Sequence, residues 1–188
     1  MNNRRMILIS TLILLAAAAG CKAHARTTSI DRTTVNQFDL KRYMGRWYEI
    51  ARFDHRFERN LEQCEAFYTL LPNNHVSVTN SGVDIKSDKK KTTYGKAKPG
   101  KQVGQLRVSF FLFFYSDYNV LALGENYSWA LVGSKSSKYL WILSRMPYMD
   151  DATYSHITEI AQERGYDISK LIRVNQQKSP TGHNKTDI

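Results

Sequence analysis

Cysteine is scarce: the 188-residue chain has two, Cys21 and Cys64. Two thiols cannot by themselves supply the four ligands of a structural zinc site, and they exclude a disulfide-dense scaffold, so an apolar core must hold the fold together. Acidic residues are also few, 17 against 27 Lys and Arg, for a formal charge of +10. That balance excludes an acidic surface and leaves anionic partners open, nucleic acid and lipid headgroups alike. The apolar stretch at residues 6–19 is fourteen residues long, short of the ~20 that a helix needs to cross a hydrocarbon core. There is no phosphate-cradling Gly-rich loop, no HExxH and no nucleophile elbow. The five histidines, His24, His55, His75, His156 and His183, are scattered, and nothing points to a metal or cofactor.

The N-terminus has secretory signal anatomy. Arg4 and Arg5 precede the apolar stretch, and Ala18, Ala19, Gly20 and Cys21 close it with small residues. One reading is an ordinary signal peptide that leaves Cys21 free to pair with Cys64 in an oxidising compartment. The other rests on residues 15–21, which resemble the lipobox of bacterial lipoproteins. It implies a signal peptide of residues 1–20 and an acylated Cys21, palmitate-type chains included, as the new N-terminus. Small residues before Cys21 suit the second reading and serve no purpose in a disulfide. Lys22 stands where an Asp would resemble an inner-membrane retention signal, which points to the outer membrane. Residues 21–36 are polar and aperiodic, as expected of a tether, and residues 176–188 are expected to fray as a flexible tail.

Aromatic residues make up 12% of the chain and hydrophobic ones 42%, too many for disorder, and the length suits one domain, placed at residues 37–175. Between Gly45 and Arg145 apolar residues mostly recur with period two between turn formers, the pattern of an antiparallel sheet. Eight strands are expected: 46–54, 63–71, 75–81, 92–98, 105–111, 117–123, 127–133 and 138–145. Pro72, Asn73 and Asn74 make a tight turn, and Gly124, Glu125 and Asn126 another. After Pro147 the period changes: Ala152, Ile157, Ile160 and Ala161 share a helical face, Asp150 or Asp151 can cap its start, and Gly165 can end it. Eight strands then one helix is the order of an all-β, eight-stranded antiparallel up-and-down barrel with a C-terminal helix. Closure removes the edge strands, and the interior holds one small ligand. A two-layer sandwich is the alternative.

Residues 39–53 read DLKRYMGRWYEIARF, and Gly45-Arg46-Trp47 is the GxW signature that opens the first strand of lipocalins. Ser116-Asp117-Tyr118 is close to the second signature, with Ser for the usual Thr, and Arg145 matches the third. With WYEIARF, YNVLAL, YSWALVG and YLWILSR, the chain resembles the bacterial outer-membrane lipoprotein lipocalins, relatives of apolipoprotein D, over residues 38–174. The resemblance implies that Trp47 plugs the closed end with Arg145 across its ring, a pair worth on the order of 2 kcal/mol when desolvated. Gly45 would turn the chain from a short helix capped by Asp39 into the first strand. Many animal lipocalins tie their C-terminal segment down with a disulfide; with Cys21 acylated only Cys64 remains, and no such bridge forms.

Alternation from Trp47 points Glu49, Ala51 and Phe53 into the barrel. By family analogy Ala66, Tyr68, Val76 and Val78 follow, and on later strands Tyr115, Trp129, Leu131, Tyr139 and Trp141. Together they describe an apolar, aromatic-lined cup suited to an acyl chain, each buried methylene contributing about 0.8 kcal/mol. Lys86, Lys89, Lys90, Lys91, Lys96, Lys98 and Lys101 crowd one hairpin region with only Asp88 opposing them, either near a lipid phosphate or carboxylate or as a solvated loop. Cys64 shares parity with Ala66 and Tyr68, which admits an enzyme with a cavity thiol. A thiolate nucleophile needs a basic neighbour, however, and His55 is the only histidine whose loop approaches it. A structural envelope lipoprotein with a filled barrel is a third class.

The expectation is therefore a non-enzymatic protein, anchored to the outer membrane and facing the periplasm. It would bind, store or transport fatty acids, phospholipids or lysophospholipids for the bacterial envelope. It would need no cofactor, metal or nucleic acid, and a homodimer is allowed.

Overall fold

In the computed structural model residues 29–112 and 114–177 are described. The expected signal peptide, Cys21 and most of the expected tail lie outside them. The order is α1 (Leu40–Tyr43), β1 (Gly45–Phe53), β2 (Leu61–Leu70), β3 (Val76–Asp84), β4 (Lys89–Pro99), β5 (Gln105–Ser109), β6 (Ser116–Leu123), β7 (Trp129–Gly133), β8 (Leu140–Ser144), α2 (Asp151–Glu163) and β9 (Leu171–Arg173). Each of β1 to β8 pairs antiparallel with the next, and β8 returns to β1 with Tyr48 opposite Ser144. The sheet is closed, which excludes the sandwich.

Local chemistry sets the turns. Asp39 accepts from Lys41 and Arg42 N–H at 2.8 and 3.3 Å and starts α1. Gly45 then turns into β1 at φ +91°, a conformation that a side chain resists. Asn73, Asn74 and Asn126 take the left-handed conformation at φ 60°, 57° and 53°, as expected of asparagine in tight turns. Asp150 caps α2 by accepting from Thr153 N–H at 2.9 Å, and Gly165 ends it at φ +87°. Strand direction places α1 and the turns 71–75, 100–104 and 124–128 at one end, the base. Loops 54–60, 85–88, 110–115 and 134–139 lie at the other, the rim.

Two apolar cores share the wall. Trp47, Tyr68, Val76, Val78, Ala97, Leu106, Val120, Ala130, Val132 and Leu143 converge inside the barrel. Ile50, Ala51, Phe53, Leu121, Leu131, Leu140 and Ile142 face outward and are buried under α2 by Ile157, Ala161 and Tyr166.

The ends of the domain differ from expectation. Residues 29–36 are no free tether: Asp31 pairs with Arg164 at 3.0 Å, Thr34 Oγ1 donates to Val103 O at 2.5 Å, and Val35 N–H donates to Val120 O at 3.0 Å while its side chain packs against the inner core. A ninth strand, too short for a period to register, continues the β1 edge where β2 splays away: β2 holds residues 45–48 and β9 holds 51–53. Gln176 is part of the barrel and not of a fraying tail, because its side-chain amide donates to Glu49 O and Cys64 O, both at 2.8 Å.

Candidate functional site

The base of the interior is sealed by aromatic rings. Trp47 is fully buried and donates from Nε1 to Tyr43 O at 2.9 Å. The Arg145 guanidinium lies 3.8 Å from the Trp47 ring centroid and donates to Arg46 O at 2.7 Å, Arg42 O at 2.8 Å and Tyr127 O at 3.3 Å. One side chain thus clamps the ring and three carbonyls. Above it the hydroxyls of Tyr43, Tyr118 and Tyr68 join at 2.6 and 3.2 Å. Burial pushes all three phenols up, Tyr68 to about 12.

Higher on the wall, inward-facing Ala66, Val108 and Tyr118 keep accessible surface, so they border open space. Asn80, opposite Ala66, has an Oδ1 without a hydrogen-bond partner among the described residues. Toward the rim the lining turns polar. Arg52 is buried and reaches Glu49 Oε1 at 2.6 Å, Glu58 O at 2.7 Å, Leu61 O at 3.1 Å and Cys64 Sγ at 3.7 Å. His55 Nε2 lies 2.9 Å from Glu58 Oε2, to which Trp141 Nε1 donates at 3.1 Å. Tyr139 stacks on Trp141 with centroids 5.8 Å apart, and the His55 ring meets each edge-on at 5.4 Å.

Burial, then the charge of Glu58, holds the Glu49 carboxyl well above the usual range, with Arg52 opposing. Burial acts the same way on Glu58, but hydrogen bonds from His55 and Trp141 and the charge of Arg52 outweigh it and leave Glu58 below its ordinary value. Burial and the neighbouring Glu49 push the Cys64 thiol far up despite Arg52, so it stays protonated at neutral pH.

Ala66, Tyr68, Val76, Val78 and Trp141 face into the barrel as expected, and Tyr139 sits at its mouth. Five residues expected inside lie outside. Ala51 and Phe53 pack under α2 because the β1 register shifts between Glu49 and Ala51, which inverts alternation and turns Arg52 inward instead. Trp129 and Leu131 also pack there, while Ala130 and Val132 take the inner positions. Tyr115 is on the outer wall, with Lys98 Nζ 4.7 Å above its ring. Among the signature residues, Asp117 points outward to Arg107 at 3.1 Å and Tyr118 inward. The lysines do not form one cluster: Lys86 and Lys89–Lys91 stand at the rim, whereas Lys101 is at the base, about 30 Å down β4 at ~3.3 Å per residue. Arg52, Glu58 and Asn80 were not foreseen. The signal available for Arg52 is its place three residues after Glu49 in the otherwise apolar run of residues 47–53; Glu58 and Asn80 carry none. Among the described residues no group of three His, Cys, Asp or Glu is arranged to hold a metal.

A closed eight-stranded barrel with a Trp and Arg clamp at its base is matched by a family model, the lipocalin-like domain, over residues 38–176. The chain belongs to the lipocalin family. It is 45% identical over 149 residues to the outer membrane lipoprotein Blc of Escherichia coli K12, covering 78% of this chain and 84% of that one. Mouse apolipoprotein D is 30% identical over 191 residues, covering 92% and 98%. Among solved structures, insecticyanin from the tobacco hornworm superposes with a TM-score of 0.64 at 23% identity, covering 77% of this chain and 84% of that one; that likeness concerns the fold alone. The lipocalin signature residues Gly45, Trp47, Tyr118 and Arg145 all serve the base.

Proposed function

We propose that this lipocalin binds one lipid with an acyl chain, a fatty acid, phospholipid or lysophospholipid, and stores or carries it in the bacterial envelope. The observation that carries the reading is the gradient along the interior: apolar walls near the base, and a polar ring of buried Glu49 and Arg52 with half-buried Glu58 near the mouth. A hydrocarbon tail fits the first and a polar head the second. Eight to ten buried methylenes contribute roughly 6–8 kcal/mol, enough for micromolar binding once a few polar contacts offset the losses of association. The name borne by the Escherichia coli relative supports an outer-membrane site. Together with the N-terminal motif it supports export by a signal peptide, acylation of Cys21 and a barrel facing the periplasm. No reaction is assigned, since the thiol of Cys64 is held protonated and His55 engages Glu58 rather than sulfur.

The test is solvent extraction of the purified protein with mass spectrometry of what leaves it, followed by native mass spectrometry of the emptied protein titrated with oleate and with lysophosphatidylethanolamine. One lipid per barrel supports the proposal. No stoichiometric complex with either would overturn it in favour of a structural envelope protein. The same spectra read whether the chain is a monomer or a homodimer.

A further inference from the structure

The rim is apolar as well as basic. Phe57, Phe111, Leu112 and Phe114 are 71%, 67%, 61% and 75% exposed, and Phe110 and Ile85 stand beside them. Backbone contacts shape the loop that carries the phenylalanines. Ser109 Oγ is 3.4 Å from Phe111 O and 3.3 Å from Leu112 O, and Phe114 N–H donates to Phe111 O at 3.1 Å. The Phe111 and Phe114 rings stack at 6.3 Å, and Phe110 lies across Gly95, where a Cβ would approach it to 2.7 Å. Exposed apolar side chains concentrated at one end of a barrel mark a place where another apolar phase is met.

Charge says which phase. The rim segments 54–60, 84–91, 110–115 and 134–139 hold eight Lys and Arg against four Asp and Glu. Lys86, Lys89, Lys135 and Lys138 form no ion pair among the described residues. A second copy set mouth to mouth would oppose two positive collars, whereas an anionic bilayer offers phosphates to the lysines and acyl chains to the rings.

We infer that the rim docks onto an anionic phospholipid bilayer, with Phe111, Leu112 and Phe114 entering the acyl region and the lysine collar at the phosphates. The mouth of the barrel then faces the membrane. This surface is separate from the lumen and does not depend on what the lumen holds.

The test uses the exported full chain carrying Cys21→Ser, so that no acyl group can attach at that position. An indole is introduced at the rim by Phe114→Trp or at the base by Leu71→Trp, and the parent chain serves as the blank for the three native tryptophans. Vesicles contain phosphatidylglycerol with brominated acyl chains, or neutral phosphatidylcholine brominated alike. Expected are a blue shift and quenching for F114W on anionic vesicles only, and neither for L71W. Adding K86Q and K89Q raises the vesicle concentration for half-maximal quenching about twenty-five-fold, about fivefold per lysine. Absence of quenching for F114W, equal quenching of L71W, or equal quenching on neutral vesicles overturns the inference. So does self-association without vesicles that F111S/F114S abolishes, which would make a second copy the occupant. Titration with a fluorescent fatty acid in the absence of vesicles reads the lumen independently, so failure of one proposal is distinguishable from failure of the other.

Discussion

Replacing Arg145 with Ala removes a clamp whose parts can be weighed separately. The guanidinium sits 3.8 Å from the ring of a fully buried Trp47, an arrangement worth about 2 kcal/mol when water is excluded. Its donors also serve the carbonyls of Arg46, Arg42 and Tyr127. Two of those bonds are exposed and water can replace the donor, so together they add about 2 kcal/mol more. The expected loss of about 4 kcal/mol is a large part of the 5–15 kcal/mol that holds a domain together. For a chain of this length it lowers Tm by roughly 8–16 °C. Arg145→Lys keeps a cation over the ring but not the planar fork, and should recover about half of the loss. Calorimetry with urea titration as a second probe measures both variants. A drop below about 3 °C for Arg145→Ala would refute the clamp, and full recovery by Lys would refute the share assigned to the three carbonyls. Because Arg145 lies at the base, fatty-acid affinity of the folded variant should stay within about threefold of the parent, less than 1 kcal/mol.

Four further outcomes are expected. Ala66→Trp should fill the lumen and weaken fatty-acid binding at least about tenfold, or 1.4 kcal/mol, in a fluorescence titration, whereas Leu131→Ala, outside under α2, should cost about 2–5 kcal/mol of stability and leave affinity unchanged. Arg52→Met should strand Glu49 inside the barrel and destabilise the protein by about 3 kcal/mol at pH 8; the loss should shrink on acidification, because a protonated Glu49 no longer needs a partner, and a pH-independent loss would count against the pair. Cys64 should react with a thiol reagent at least about a hundredfold more slowly in folded than in urea-unfolded protein, since burial suppresses its thiolate. Lys91 and the Ser87 hydroxyl and N–H hold Asp84 at about 2, below the ordinary 3.8. Its contribution is therefore present above pH 4 and lost as pH falls through 2, and a carboxyl NMR titration giving an ordinary value would contradict the ion pair.

The barrel was legible because its turns announce themselves: Asn73, Asn126 and Gly165 sit where left-handed backbone is required, and period two fills the gaps between them. The base was legible for a different reason, since Trp47 and Arg145 belong to a recognisable signature. The lining was only half legible. Alternation predicts sidedness when one face is polar, and here α2 covers the outside of β7 and β8 with a second core, so Trp129-Ala130-Leu131-Val132 reads the same either way. On β1 the shift at Ile50 breaks the count outright, and no residue there signals it. The polar ring at the mouth was missed for the same cause, because Arg52 turns inward only after that shift.

The last strand does more than lengthen the sheet. β1 and β2 part company above Tyr48, and β9 with Gln176 is what occupies the gap, bonding to Ala51–Phe53 on one side and to Gln63 and Cys64 on the other. A protein ending at residue 170 would thus have a slot in its side at the level of Arg52, open to water. Cargo could leak laterally through such a slot even with the mouth occluded.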